Sequence, residues 1–367
     1  MKPRVIFLGP LPPPLMGPSL ATELILTSKI IDEIDLIHLD TSDHRDIDTL
    51  GSVDFTNIYL AIKNYAMLFI LILKHRPVAV YIPISQTTIG YLRDAGFILI
   101  SKLFGRKVIC HLRGGNFKNW FNSSRLLTRW CVRKVHSLVD GQIVLGAKLM
   151  NLFDGIVKKE RIFVVPNGRN FNAVSNCSRS SEKISILYLA NLIPSKGFID
   201  VLNACPIVYS TFKHIEFIFA GCFNDAKIRK NFDKFLETNE GLPIRFEGTV
   251  QGQKKNDLLG GAHIFVFPTY SPPEGHPWVI VEAMAAGLPI ITTDQGAITE
   301  SVIDGINGFI VEKRNPEQIA EKIKLLIQNE ELRIKMGKES RRLYEENFTE
   351  EIMVQRLKDC FENILAS

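Results

Sequence analysis

The segment that decides the fold runs from residue 264 to residue 292 and has the sequence IFVFPTYSPPEGHPWVIVEAMAAGLPIIT. Its first four residues, 264–267, are apolar and β-favouring, which predicts a strand covered on both faces. A proline-rich loop follows. Pro277 and the apolar stretch after it predict a helix that has this proline at its first helical position and ends at Gly287. The apolar run at 289–292 predicts the next strand. Strand, helix and strand in this order are typical of a parallel α/β sheet.

The same alternation extends along the whole chain of 367 residues. Apolar runs separated by segments of helix length lie at 5–9, 36–40, 79–82, 107–112, 142–145, 162–165, 184–189, 215–220, 244–246, 264–267, 289–292 and 308–311. The composition, 46% hydrophobic and 23% charged, is that of a globular protein. The pattern therefore predicts an α/β protein with two doubly wound parallel-sheet domains.

Composition shifts along the chain predict the domain limits. We expect a first domain over 1–168, a polar, serine-rich linker over 169–182 and a second domain over 183–348. The amphipathic C-terminal segment 349–367 predicts a helix that packs back toward the first domain. Residues 315–318, Asn-Pro-Glu-Gln, predict a helix start with an asparagine N-cap, proline at the first helical position and a reciprocal glutamine contact.

Charge is divided unequally, with +9 on residues 1–176 and −4 on residues 177–367. The segment 117–134 mixes basic and aromatic side chains at helical spacing, which fits either a solvated basic face or a helix on an anionic membrane.

The uncharged apolar stretch 65–73 is too short to span a bilayer and predicts a buried or interfacial helix. No nucleic-acid recognition motif is found. The six cysteines are scattered without metal-binding spacing, which favours reduced thiols in the cytoplasm.

Ligands of open α/β sheets bind beyond the carboxyl ends of the strands, so the loops there hold the candidate site. Glu274 lies in the loop after 264–267, and Glu282 lies on the helix that follows. The first amides of that helix, around Val279 and Ile280, are suited to bind an anion. Carboxylates accept hydrogen bonds from vicinal hydroxyls. The segment therefore predicts a site for a phosphate-bearing, hydroxyl-rich ligand.

Two further loops carry candidate residues. Lys196 precedes a glycine in the loop after 184–189, where a lysine suits a diphosphate. His111 lies near the end of the run 107–112 and Arg113 directly follows it, and residues two apart in a strand share a face. A cation at this point could stabilise a departing diphosphate, which favours Arg113. For His111, a buried core histidine is an equally good interpretation.

These motifs resemble family 4 of the retaining glycosyltransferases. Glu274 and Glu282, followed by Ala-Met-Ala-Ala-Gly-Leu-Pro at 283–289, resemble the E-x7-E signature of that family. Further similar elements are the glycine-bearing loop at 9–17, Val-Pro-Asn-Gly at 165–168 and Asp-Gly-Ile-Asn-Gly-Phe at 304–309. The resemblance implies the GT-B architecture, in which two Rossmann-like domains face each other across a cleft.

The resemblance also implies roles for individual residues. Glu282 would bind the ribose, Lys196 the diphosphate, and Glu274 the donor sugar. Asn191 stands where the family usually has arginine, so one charge on the phosphates is missing. The implied substrate-binding residues are Gly17, Asn191, Lys196, Gly275, His276, Val279, Ile280 and Glu282, and the implied catalytic residues are Arg113, His111 and Glu274.

We therefore expect transfer of a sugar, with retained configuration, from a UDP- or GDP-linked donor to a glycan or lipid-linked acceptor. Surface polysaccharide or lipopolysaccharide synthesis is the expected pathway, in the cytoplasm and peripherally on the inner face of the membrane. No metal and no cofactor are expected, and the Asp-x-Asp at 46–48 is interpreted as a solvated acidic loop. The alternatives are a nucleotide-sugar epimerase and a non-catalytic partner subunit.

Overall fold

The computed structural model describes residues 2–13, 17–42, 55–171 and 183–366. Within it the chain forms two compact units. The first unit comprises residues 1–169 and 350–367, and the second comprises residues 170–349. Most of the predicted linker and the Asp-x-Asp segment at 46–48 lie outside the described residues.

The first unit contains a six-stranded parallel sheet with the order β2-β1-β3-β4-β5-β6. Its strands are β1 (Arg4–Gly9), β2 (Asp35–Asp40), β3 (Ala79–Ile84), β4 (Lys107–Leu112), β5 (Gly141–Val144) and β6 (Ile162–Val164). Val5, Ile6 and Phe7 of β1 are fully buried, as a strand with helices on both faces requires. The six strands predicted in the first half of the sequence are confirmed.

Helices cover both faces of this sheet. They are α1 (Gly17–Thr27), α2 (Phe55–His75), α3 (Thr88–Leu103), α4 (Phe117–Ser123), α5 (Leu126–His136) and, from the end of the chain, α12 (Glu350–Ala366). The connections through α2, α3 and α5 run in one direction along the sheet and the connection through α1 runs in the other. Because such crossovers are right-handed, α2, α3 and α5 form one layer and α1 lies on the opposite face.

Helix α2 is longer than the uncharged stretch 65–73 suggested, because it includes Lys63 and Lys74 within its 21 residues. Residues 58–75 have the length and apolar composition of a membrane-spanning helix, which the sequence analysis did not predict. Leu68 and Ile72 are nevertheless buried on its inner side. The helix is therefore one side of a packed layer, and its remaining faces are largely exposed.

The second unit contains the other six-stranded parallel sheet, with the order β12-β11-β10-β7-β8-β9. Its strands are β7 (Ile184–Leu189), β8 (Ile215–Ala220), β9 (Ile244–Phe246), β10 (Ile264–Phe267), β11 (Ile290–Thr292) and β12 (Gly308–Ile310). Its helices are α6 (Phe198–Tyr209), α7 (Ala226–Thr238), α8 (Gly252–Gly261), α9 (Trp278–Ala285), α10 (Pro316–Gln328) and α11 (Glu330–Asn347). The prediction of two parallel-sheet α/β domains is confirmed.

Two helix starts differ in detail from the prediction. Pro277 is the N-cap of α9 and not its first helical residue. Asn315 caps α10 by accepting from the Gln318 amide at 2.9 Å, as predicted. The Gln318 side chain, however, accepts from the amide of Glu312 at 2.5 Å, so the predicted reciprocal contact is displaced by three residues.

Candidate functional site

The loops after β7 and β10 are joined backbone to backbone. The Tyr270 amide donates to the Ser195 carbonyl at 2.8 Å. Gly197, with φ of +82°, lies so close to Pro268 that a Cβ atom at this position would be 2.3 Å from the Pro268 carbonyl oxygen. Glycine is required here both for its left-handed backbone and for the space. These contacts fix Lys196 beside the second loop.

Lys196 and Glu274 are brought together by this arrangement. The Lys196 Nζ lies 3.5 Å from Glu274 Oε2, and both side chains remain partly exposed. The ammonium also lies 5.9 Å from the centre of the Phe267 ring. Burial, with Glu274 as the next cause, raises the pKa of Tyr188, whose hydroxyl donates to the Lys196 carbonyl at 3.3 Å. The site thus combines a reachable cation, a carboxylate and a neutral phenol.

The turn that carries Glu274 is fixed from behind by the loop after β11. The Ala297 amide donates to the Gly275 carbonyl at 2.8 Å. Gly296, with φ of +59°, lies under the same turn, where a Cβ atom would be 2.4 Å from the Gly275 oxygen and 2.5 Å from the Glu274 oxygen. The position of Glu274 therefore depends on a glycine 22 residues further along the chain.

Glu282 is fully buried and is paired with a residue that the sequence analysis did not single out. Its Oε2 lies 2.5 Å from Nζ of Lys255, on α8, whose side chain is 22% exposed. A buried carboxylate needs such a partner because removal from water disfavours its charged form. No sequence signal distinguishes Lys255 from the neighbouring polar residues of α8.

Three other residues that were predicted to contact the ligand, His276, Val279 and Ile280, have different surroundings in the structure. The His276 side chain is buried, and its Nε2 lies 2.6 Å from Ser301 Oγ, so the ring connects its loop to the interior. The Ile280 amide donates to the Pro277 carbonyl at 3.2 Å. Val279 is half-buried in the first turn of α9. Among these residues the structure therefore gives His276 a structural role that its loop sequence did not indicate.

A cavity of about 530 Å³ lies at the carboxyl ends of β8 and β9. Its lining includes Gly221, Cys222, Arg229, Phe246 and Thr249. The Cys222 thiol donates to the Asn191 side-chain oxygen at 3.2 Å, which connects the cavity to the loop that contains Lys196. Its volume is within the range of small-molecule pockets.

In the first unit, His111 and Arg113 share one partner. Tyr81 on β3 has its hydroxyl 2.6 Å from His111 Nδ1 and 3.0 Å from Arg113 Nη2. The predicted common orientation of the two residues is therefore present. His111 is buried, its Nε2 has no hydrogen-bond partner among the described residues, and burial, followed by the Arg113 charge, lowers its pKa well below 6.5. Arg113 is the more accessible of the two.

Three points remain: the place of Gly17, the question of a metal site and the role of Tyr81. Gly17 is half-buried at the first residue of α1. Among the residues that the structure describes, no group of three or more histidine, cysteine or acidic side chains could hold a metal ion. Tyr81 was missed because an aromatic residue in an apolar strand gives no sign of a polar role.

Comparison with known proteins finds a family match within the second unit. Residues 175–343 match the family model "Glycosyl transferases group 1". An uncharacterized glycosyltransferase of Methanocaldococcus jannaschii is 32% identical over 206 residues, which cover 56% of this chain and 55% of that protein. The capsular polysaccharide biosynthesis glycosyltransferase CapM of Staphylococcus aureus is 28% identical over 50% of this chain and 47% of its own length. These matches span about half of the relatives.

Solved structures resemble the whole chain. The Anabaena protein HepE, crystallised with UDP, superposes with a TM-score of 0.74 at 16% identity, covering 99% of this chain and 100% of that chain. Sucrose-phosphate synthase from Thermosynechococcus elongatus has a TM-score of 0.74 at 14% identity, with complete coverage of both chains. Residues 175–343 are therefore similar to the glycosyl transferases of group 1, and the chain has the α/β fold of GT-B glycosyltransferases.

Proposed function

We propose that this chain is a retaining glycosyltransferase that moves a sugar from a nucleotide-diphosphate sugar to a glycan or lipid-linked acceptor. The observation that carries the proposal is the convergence of Lys196 and Glu274 at the carboxyl ends of β7 and β10. The group 1 domain and the UDP and UDP-glucose named for the solved HepE structures support the donor class. Neither the epimerase nor the partner-subunit alternative gains support.

Lys196 would bind the donor diphosphate. Its ion pair with Glu274 is long, at 3.5 Å, and its side chain is partly exposed. A diphosphate carries more charge than one carboxylate and can replace Glu274 as the partner of the ammonium. Glu274 is then released toward the hydroxyls of the donor sugar, with Gly275 fixing the turn. The Val279 amide would supply a further donor at the start of α9, whereas the Ile280 amide already donates to the Pro277 carbonyl.

Glu282 would bind the ribose hydroxyls, as the resemblance implies, but its carboxylate is covered. Its partner Lys255 is the partly exposed member of the pair, so in this proposal Lys255 moves when the nucleotide enters. The cavity beside Asn191 and Cys222 is of suitable volume for part of the donor. Asn191 supplies a neutral side chain where a cation is usual in the family.

Arg113 would stabilise the leaving diphosphate, because a fixed cation is most effective where charge develops. His111 is a positioning residue in this proposal, since it contacts Arg113 only through the Tyr81 hydroxyl. Gly17 belongs to the loop that would contact the acceptor. Retention of configuration is proposed without a protein nucleophile, and without a metal ion or cofactor.

Surface polysaccharide or lipopolysaccharide synthesis is the proposed pathway, in the cytoplasm and on the inner face of the membrane. The relative CapM, named for capsular polysaccharide biosynthesis, supports this assignment. A phosphatidyl-myo-inositol mannosyltransferase of Mycobacterium leprae, 27% identical over 49% of this chain, supports an acceptor with a lipid portion.

The donor proposal is tested by thermal unfolding with a panel of UDP, GDP, ADP and their sugar conjugates. A ligand at 100 times its Kd stabilises the folded state by about 2.7 kcal/mol, which is readily measured. We expect one nucleoside diphosphate to raise the Tm of the wild type but not of Lys196→Ala or Glu282→Gln. Lys338→Ala, an exposed substitution on α11, is the matched control and should respond like the wild type.

Two results would overturn the proposal: no nucleotide raises the Tm, or the Lys196→Ala and Glu282→Gln variants respond as strongly as Lys338→Ala. Once donor and acceptor are known, NMR of the product gives the anomeric configuration, and an inverted product would exclude retention. Turnover that stops in EDTA would exclude the metal-independent mechanism.

A further inference from the structure

The outer face of the layer formed by α2, α3 and α5 is apolar. Fourteen of the twenty-two exposed large hydrophobic side chains in the described residues lie on these three helices. They are Ile58, Tyr59, Ile62, Met67, Phe69, Ile70 and Leu73 on α2, Ile89, Leu92, Leu99 and Leu103 on α3, and Leu126, Leu127 and Trp130 on α5. Single exposed hydrophobic residues are common, but this concentration marks an interaction surface. We call these fourteen residues the apolar face.

The three helices are packed into one continuous layer. The rings of Tyr65 on α2 and Phe97 on α3 meet edge to face with centroids 4.9 Å apart. The Tyr91 hydroxyl of α3 lies 2.5 Å from Nδ1 of His136 on α5. The inner sides of these helices therefore pack against one another, and the exposed side chains lie on the opposite sides of the same helices. The apolar face is a broad surface and not a set of separate spots.

The charge of this layer is almost entirely positive. The sequences of α2, α3, α4 and α5 contain one acidic residue, Asp94, which is buried and paired with Arg93 at 2.8 Å. Their basic residues are Lys63, Lys74, Arg93, Lys102, Lys118, Arg129, Arg133 and Lys134, with Arg125 as the N-cap of α5. An apolar surface with basic and no exposed acidic side chains is complementary to an anionic bilayer. A second copy of the same face would add like charges to the contact.

We propose that the apolar face docks on an anionic lipid bilayer, with α2 and α3 lying in the plane of the interface. Leu68 and Ile72 of α2 are buried against the rest of the unit, so α2 contributes only its outer side to the lipid. Trp130 and the basic residues of α5 are suited to the headgroup region, where amphipathic rings and cations are favoured. This inference rests on the proposed function in one respect only, namely which membrane the apolar face would contact.

The test is co-sedimentation of the full chain with vesicles of phosphatidylethanolamine and phosphatidylglycerol, and with vesicles of phosphatidylcholine alone. We expect binding to the anionic vesicles, weakened by salt because exposed charges are screened over about 10 Å at 0.1 M. The triple variant Ile62→Gln, Ile70→Gln and Leu73→Gln should lose at least tenfold in partition. A matched triple on the second unit, Ile306→Gln, Leu325→Gln and Ile334→Gln, should change it less than twofold.

The charge contribution is tested separately. Arg125→Gln, Arg133→Gln and Lys134→Gln together should weaken anionic binding severalfold, while Lys227→Gln, Lys230→Gln and Lys234→Gln on α7 should not. An unchanged Tm of each variant excludes loss of the fold as the cause.

Three outcomes would overturn the proposal: the wild type fails to bind anionic vesicles at low salt, both members of a matched pair lose binding equally, or the apolar face proves to be a dimer interface. The last is recognised by a wild-type dimer that the Ile62, Ile70 and Leu73 triple variant dissociates without any vesicle binding. Nucleotide binding is measured on its own by the Tm panel, so failure of this proposal and failure of the donor proposal are distinguishable.

Discussion

Two candidate site residues, Glu282 in the second unit and His111 in the first, are buried in opposite ways. In the second unit, Glu282 is buried beside the ammonium of Lys255. In the first unit, His111 is buried beside a neutral hydroxyl, that of Tyr81, and its pKa is lowered so that it stays uncharged. Two parallel sheets of six strands each, with different strand orders, thus carry different groups at their ends. At these sites the second unit holds paired opposite charges, and the first holds neutral groups beside one accessible arginine.

The largest effect on stability is expected for the buried pair of Glu282 and Lys255. Lys255→Met leaves the Glu282 carboxylate buried without its cation, which should lower the free energy of unfolding by about 4 kcal/mol. The adjacent Lys254 is the matched control, since it pairs with Glu247 at 2.8 Å at an exposed position. Lys254→Met should cost less than about 1 kcal/mol. Urea unfolding of both variants gives the difference, and equal losses would contradict a special role for Lys255.

A smaller effect is expected where the second unit depends on close backbone packing. Gly296→Ala should cost about 3 kcal/mol, because the new Cβ meets two carbonyl oxygens and the backbone is left-handed. Gly305 has a similar φ, +73°, with nothing within 4 Å of the corresponding Cβ. Gly305→Ala should therefore cost only about 1 kcal/mol. If nucleotide binding survives Gly296→Ala unchanged, the position of Glu274 does not depend on this contact.

The smallest effect concerns the neutral histidines of the first unit. Burial lowers the pKa of His136 to about 4, while the unfolded chain has a value near 6.5. The unfolded state therefore binds the proton first, and this contribution to stability is present above pH 6.5 and lost as the pH falls toward 4. Between pH 7.5 and pH 5 the loss is about 2 kcal/mol.

His136→Gln provides the measurement for this pH effect, since it keeps a hydrogen-bonding side chain but removes the titration. Its Tm should fall less than that of the wild type on acidification from pH 7.5 to pH 5. Parallel curves for the two proteins would show that His136 is not kept neutral.

The parts of the molecule that could be predicted are those determined locally. Continuous apolar runs such as 184–189 specify buried strands wherever they occur, and Gly287, with φ of +65°, ends α9 as its position suggested. The loops with Lys196 and Glu274 follow from the strand ends. Their 3.5 Å contact does not, because it depends on the strand order β10-β7, which no local pattern encodes.

Other features depend on partners that are distant in sequence. Lys255 is 27 positions from Glu282, and its sequence context is an ordinary polar helix. The sequence of the loop around His276 does not indicate that a ring nitrogen of this residue contacts the Ser301 hydroxyl. Helix α3 is so rich in apolar residues that periodicity could not identify Leu99 or Leu103 as exposed. The apolar face therefore became visible only in the structure.

The position of α12 has a consequence for synthesis on the ribosome. This helix is made after the whole second unit, yet it belongs to the first unit, where the Phe361 ring lies 6.2 Å from that of Tyr81 and Ile364 packs on Gly141. Residues 1–169 therefore leave the exit tunnel without the helix that covers Tyr81 and Gly141. The second unit is contiguous in sequence and can fold first, whereas the first unit is completed only after translation has passed α12.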